Sequence, residues 1–225
     1  FLTFAMMQLP IGASLDRFGP RRTTSILVAV GAVGALVFSQ ATGAFHLNLA
    51  MGLIGIGCAP VLMASYFIFP RSFPPAAFGA MAAISVGLGS LGNIASSLPL
   101  SAAVEAFGWR PTVLGLAAAT AAVALAILTL ARAPPRLDGT GTGSLLGLLR
   151  MPALWPILAM MAVCYTPIAG LRGLWIGPYF AEVHGLDALE LGRISLWIGL
   201  AMTLGNFAYG PLDHWAPSRK RLILA

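Results

Sequence analysis

Charge is the scarcest property of this sequence. Only 9% of its residues are Asp, Glu, Lys or Arg, whereas a soluble domain of similar length carries about 25%. A water-facing surface of normal composition is therefore excluded. Cysteine is nearly absent too, with Cys58 and Cys164 each isolated in an apolar run, which implies neither a disulfide framework nor a zinc site. The three histidines, His46, His184 and His214, stand far apart with no HExxH-type spacing. No metal or cofactor is expected, and no Gly-rich loop ending in Lys points to ATP. Paired carboxylates or a Ser/His pair inside the apolar runs are also missing, so no enzyme chemistry is expected.

What the chain has in abundance is apolar surface: 58% hydrophobic residues, 26 glycines and a mean hydropathy of +0.87. These residues come in runs of a length that crosses the hydrocarbon layer as a helix, about 20 residues. The spans predicted are the tail of one at Phe1–Ile11, then Thr24–Phe45, Leu47–Phe69, Phe78–Val104, Thr112–Leu130, Met151–Phe180 and Leu191–Pro211, with a further start at Arg221–Ala225. The expected fold class is all-α, a polytopic transmembrane helix bundle truncated at both ends.

Basic residues give the orientation. One set of loops holds Arg17, Arg21, Arg22, Arg71, Arg132, Arg136, Arg150, Arg219, Lys220 and Arg221, and the alternate set holds only Arg110 and Arg193. That bias places the first set in the cytoplasm. It also accounts for the net charge of +6 without a nucleic-acid partner. Membrane lipid is the expected surrounding, in the plasma membrane, which for a bacterium is the inner membrane.

A polar, Pro-Pro and Gly/Thr-rich stretch interrupts the apolar pattern at Ala133–Ser144. It divides the chain into an N-terminal transmembrane half (1–132), a cytoplasmic linker (133–150) and the start of a second half (151–225). The halves share a short motif: Leu212-Asp213-His-Trp-Ala-Pro217-Ser-Arg219 repeats Leu15-Asp16-Arg-Phe-Gly-Pro20-Arg-Arg22 at an offset of 212 − 15 = 197. Each copy follows a span and faces the same side.

The first copy, Gly12-x-x-x-Asp16-Arg17-x-Gly19-x-Arg21-Arg22, resembles the signature loop between helices 2 and 3 of the major facilitator superfamily. Gly210–Arg221 resembles its degraded copy between helices 8 and 9. The resemblance implies two pseudo-repeated halves, covers partial helix 2 to the start of helix 9, and implies secondary transport of a small-molecule substrate, with a coupling ion as a further partner. It also implies a role for the loop. Asp16 would close the cytoplasmic gate by pairing with basic groups and the positive end of a helix from the other half. Gly12 and Gly19 would permit the turn and close helix approach, and Arg17, Arg21 and Arg22 would supply counter-charge. Asp213 and Arg219 would form the second latch. The alternative for the loop is a solvated basic turn. Alternatives for the whole are a seven-helix receptor or a non-transporting membrane protein, which the central linker and repeated loop fit poorly.

Two stretches depart from the proton-coupled pattern of the family. Met51 of Ala50-Met51-Gly-Leu-Ile-Gly55-Ile-Gly57 occupies the place of an Arg, and Gly92-Asn93-Ile-Ala-Ser96-Ser97 lacks a Pro. Both count against a drug/proton antiporter, and the glycines of helices 4 and 5 read as packing.

Polar residues within spans are costly and mark sites. Ser85, Gly89, Asn93 and Ser96/Ser97 share a helical face, as do Thr203, Asn206 and Tyr209. They line a water-filled cavity or bond helix to helix, and spacing alone does not decide. The Met151–Phe180 span is richer. Tyr165, Arg172 and Tyr179 recur at seven residues with Trp175 one turn from Arg172, between Pro167 and Pro178. One fixed charge with three aromatics suits an anionic or carboxylate-bearing substrate, and interrupted helices mark binding regions in transporters. The competing reading is an Arg that snorkels outward.

Orientation is testable directly. Single cysteines replacing Arg21, Ser72 and Thr140 are expected to label only from the cytoplasm, and those replacing His46 and His184 only from outside. Labelling of Thr140 from outside would overturn the two-half arrangement.

Overall fold

A computed structural model describes residues 2–74, 77–131, 150–152, 155–156, 159–160 and 170–215, without the side chains of 79, 80, 83, 172 and 206–215. Residues 133–149 of the linker expected at 133–150, Tyr165 and Arg219 lie outside the described residues. Within the described residues the secondary structure is helical and no strand occurs.

The helices are α1 (Leu2–Phe18), α2 (Pro20–Ser39), α3 (Ala44–Cys58), α4 (Pro60–Ser72), α5 (Phe78–Ala95), α6 (Leu98–Phe107), α7 (Trp109–Leu130), a π-helical turn at Leu171–Trp175, α8 (Ile176–His184) and α9 (Ala188–Trp215). Among the described residues four stretches are long and apolar enough to cross a membrane: Pro20–Ser39, Ala44–Ser72, Trp109–Leu130 and Ala188–Gly205. Two expected spans prove to be broken. Leu47–Phe69 is covered by α3 and α4, which meet at Ala59. Its torsions stay helical (φ −61°, ψ −36°), and the discontinuity comes from Pro60, which has no N–H to donate. Phe78–Val104 is covered by α5 and α6, separated at Ser96–Ser97. There the Ser96 and Ser97 hydroxyls donate to the Asn93 and Ile94 carbonyls (3.1 and 2.6 Å) and occupy acceptors that α5 leaves at its end.

Packing centres on α2. Of its residues 44% are buried, against 11% for α7, because α2 lies between α3 and α7 and also meets α1 and α4. The α2–α3 approach runs over glycine. A methyl group built on Gly31 would fall 3.1 Å from the Gly57 Cα, and one on Gly57 would fall 2.6 Å from the Gly31 nitrogen. One on Gly34 would fall 2.8 Å from both the Ile54 nitrogen and the Leu53 Cβ. Gly55 is closed by Thr3 of α1. The helix 4 glycines are therefore packing residues, as expected. Gly89 and Gly92, in the helix 5 stretch, have no atom within 4 Å of such a methyl among the described residues.

Below α2, Ile11 and Leu15 of α1 are fully buried with Ala59 and Ala64, against Met7, Leu27, Met63 and Phe67. Much of the remaining apolar surface is exposed, including Ile26, Val123, Leu125 and Trp197, a distribution suited to hydrocarbon and costly in water. Helix α9 meets α6 where Gly192 packs on Ser101 and Leu98. A reciprocal capping box starts α9: the Glu190 amide donates to Asp187 Oδ1 (2.7 Å) and the Asp187 amide to Glu190 Oε2 (3.2 Å).

The glycine seam sets a stability expectation. Gly57→Val overpacks α2 against α3 and is expected to cost about 1–3 kcal/mol, lowering the thermal midpoint in detergent. Gly89→Ala, which meets open space, is expected to be neutral or stabilising by up to about 1 kcal/mol. Equal midpoints for the two variants would contradict the tight seam.

Candidate functional site

The Gly12–Arg22 stretch is not a loop. Helix α1 continues through Gly12, Asp16 and Arg17 to Phe18, α2 begins at Pro20, and Gly19 alone joins them. Its φ of +80° and ψ of 162° lie where a side chain is strained, so glycine is required. The Gly19 amide donates to the Leu15 carbonyl (3.0 Å) and its carbonyl accepts from the Thr23 amide (3.2 Å). Pro20 suits the first position of α2 because its fixed φ is helical and that amide would go unpaired anyway. The Thr23 hydroxyl donates to the Ser14 carbonyl (3.1 Å), tying the two helices across the hinge. A methyl on Gly12 would meet nothing within 4 Å, so no described neighbour demands glycine there.

The charges of this corner have different surroundings. Asp16 is exposed and has no ion-pair or hydrogen-bond partner for its carboxylate among the described residues. Arg17 stacks on Phe18, 5.3 Å from the ring centroid. Arg21 Nε donates to the Leu128 carbonyl (2.6 Å), one of the acceptors that the last turn of α7 leaves open. Arg22 is exposed.

A second corner repeats the first at the other end of the α2–α7 pair. Phe107-Gly108-Trp109-Arg110 matches Phe18-Gly19-Pro20-Arg21 at an offset of 108 − 19 = 89. Gly108 has φ 85° and ψ 158°, its amide donates to the Val104 carbonyl (2.8 Å), and its carbonyl accepts from Thr112 (3.4 Å). Arg110 Nη2 donates to the Ala41 carbonyl (2.9 Å), just past the end of α2, and its guanidinium lies 4.9 Å from the Trp109 ring centroid. Trp109 in turn meets Phe38 edge-on at 6.0 Å. The sequence reading missed this corner because it compared the two halves only. The shared Phe-Gly-x-Arg was the available signal.

The second latch copy is described in backbone only: Asp213 lies on α9, helical like Asp16. Asn93 is half-buried in the last turn of α5, and its carbonyl accepts from Ser96. Ser85 is half-buried, Ser96 exposed and Ser97 buried, so the break at Ser96–Ser97 divides the expected stripe. In the other stripe, the buried Thr203 hydroxyl donates to the Gly199 carbonyl (2.7 Å), a bond within its own helix. Asn206 lies on α9 in backbone only.

In the Met151–Phe180 span, Arg172 falls on the π-helical turn Leu171–Trp175. Such turns insert one residue into the helical register and recur at functional sites. Trp175 and Tyr179 follow, both exposed. Tyr179 packs edge-on against Phe180 (5.3 Å) and His184 (5.5 Å), so its ring belongs to an aromatic cluster at the end of the span. Among the described residues no three His, Cys, Asp or Glu side chains converge on a point that would hold a metal.

Long apolar helices and a largely exposed apolar surface mark an integral membrane protein. The chain matches the family model described as Major Facilitator Superfamily over residues 1–225. It belongs to that superfamily, whose members are secondary transporters of solutes. No curated protein and no solved structure matches it significantly.

Proposed function

We propose that this chain forms part of a transporter that moves a small anionic or carboxylate-bearing solute by alternating access, with Arg172 in the substrate path. The observation that carries this reading is a full charge on the π-helical turn of an apolar span. A cation there costs about 2.5–3.5 kcal/mol at the membrane centre, and irregular backbone at membrane depth lines cavities rather than lipid. Trp175, which ends that turn, and Tyr179, one turn further on, are exposed and supply aromatic surface. The test compares Arg172→Lys with Arg172→Gln in the full-length transporter for insertion, substrate affinity and flux. The expected result is loss of binding with normal insertion, greater in Gln than in Lys. Wild-type affinity in Gln would leave Arg172 as a snorkelling residue.

The reading includes a gate at the α1–α2 corner, on the cytoplasmic side. Support comes from the Asp16 carboxylate, exposed and unpaired among the described residues, one turn or less from a single-residue hinge. Asp16→Asn is expected to remove a charge-assisted contact of about 1.5–3 kcal/mol, shifting the gate equilibrium roughly tenfold or more. Transport should fall while insertion is normal. Unchanged conformer populations with normal flux would make Asp16 a solvated surface acid.

A further inference from the structure

The α2–α7 seam has two sides. Leu27, Gly31 and Gly34 of α2 face α3. Roughly half a turn around α2 at 3.6 residues per turn, Ser25, Ala29 and Leu36 line a groove of about 520 Å³ whose other wall is α7, including Ala118, Ala121 and Leu128. No described helix covers it.

Three observations specify its occupant. The first is length. Ser25 to Leu36 of α2 rises roughly 16 Å and Leu114 to Leu128 of α7 roughly 21 Å at 1.5 Å per residue, both short of a ~30 Å hydrocarbon layer, so the groove takes an acyl chain of one leaflet and does not cross the layer. The second is charge. Arg21 stands one turn before Ser25, held at the groove's end by its bond to the Leu128 carbonyl, with Arg22 beside it. Neither guanidinium has an acidic partner among the described residues. The third is an unmet hydroxyl. Ser25 is 5% exposed, lines the groove, and its side chain has no hydrogen-bond partner among the described residues. A hydroxyl that lines an apolar groove without a partner is costly beside hydrocarbon unless a ligand completes it.

We infer that this groove is a binding site for one anionic phospholipid of the leaflet that meets the α1–α2 corner. The phosphate sits on Arg21 and Arg22, an ester carbonyl accepts from the Ser25 hydroxyl, and one acyl chain lies along the alanine-lined floor. A zwitterionic lipid fits less well, because it brings its own cation to two uncompensated guanidinia. Another helix would fill the alanine floor but would leave the hydroxyl and the arginines unanswered.

The experiment is a titration of the purified full chain in neutral detergent, followed by native mass spectrometry. Phosphatidylglycerol, phosphatidylcholine with matched chains, and inorganic phosphate are added separately. One phosphatidylglycerol is expected to be retained, about tenfold more tightly than phosphatidylcholine. Arg22→Gln should weaken it about fivefold, the contribution of one basic residue at an anionic lipid surface. Ser25→Ala should weaken it also, and Ala121→Phe should abolish retention by filling the groove. Ala118→Leu, at an exposed position, is the milder filling variant if Ala121→Phe lowers the thermal midpoint. Equal retention of the two lipids, or retention unchanged when the groove is filled, overturns the proposal. So does competition by inorganic phosphate alone, which would mean a site for the headgroup charge only. Disulfide-linked dimers through a cysteine at Ala121 would assign the groove to a second copy and overturn it as well.

Discussion

The close approach of α2 and α3 at Gly31 and Gly57 is the contact on which the described bundle depends. In lipid, helix association gains little from burying apolar surface, since the hydrocarbon solvates it equally well. What remains is van der Waals contact between backbones, which falls off steeply with separation. Glycine at Gly31, Gly34 and Gly57 removes the side chains that would hold the two helices apart. With α3 seated closely on one side, α2 can take α7 on the other and still meet α1 and α4. The bundle is thus ordered around its most enclosed helix, and the outer helices keep their leucines and valines for lipid.

The α2–α7 pair is in contact along its length as α2–α3 is, but alanines border an open groove on one side of it. Its ends are also held by polar bonds. Arg21 caps the carbonyl end of α7 and Arg110 reaches the carbonyl just beyond α2, each a cation at the negative end of a helix dipole. Both arginines follow a hinge glycine by two residues, and the hinges have nearly the same torsions. One local device is used twice, at opposite ends of an antiparallel pair. Arg110, which by topology is one of only two basic residues in its set of loops, is therefore present for a structural reason that loop-charge counting does not supply.

Much of this was legible in the sequence. Hydropathy located the helices, because run length and the absence of charge are imposed by the bilayer itself. The motif carried the family, and Gly55 and Gly57 were read as packing residues. The breaks at Pro60 and Ser96–Ser97 were less visible: an apolar run reads as one span whether or not an amide is missing inside it. The extent of α1 was misread for a related reason. Asp16 and Arg17 are polar and suggest a loop, but at the membrane surface a helix continues into water at no cost, and only Gly19 has torsions that end it. The aromatic alignment across Arg172 rested on a constant helical register, which the π-helical turn alters.

A one-residue hinge has a mechanical consequence. Loops of several residues absorb the motion of one helix without transmitting it, but Gly19 leaves no slack between α1 and α2. The Thr23–Ser14 bond and the burial of Ile11 and Leu15 against Ala59 and Ala64 further join the end of α1 to the helices around α2. A force on the Asp16 carboxylate is therefore delivered to the packed group α1–α4 as a body, rather than dissipated in a flexible turn. Because Arg21 ties the same corner to the end of α7, α7 belongs to that body too. On the alternating-access reading proposed above, this corner is where a surface charge would gain leverage on the packed helices.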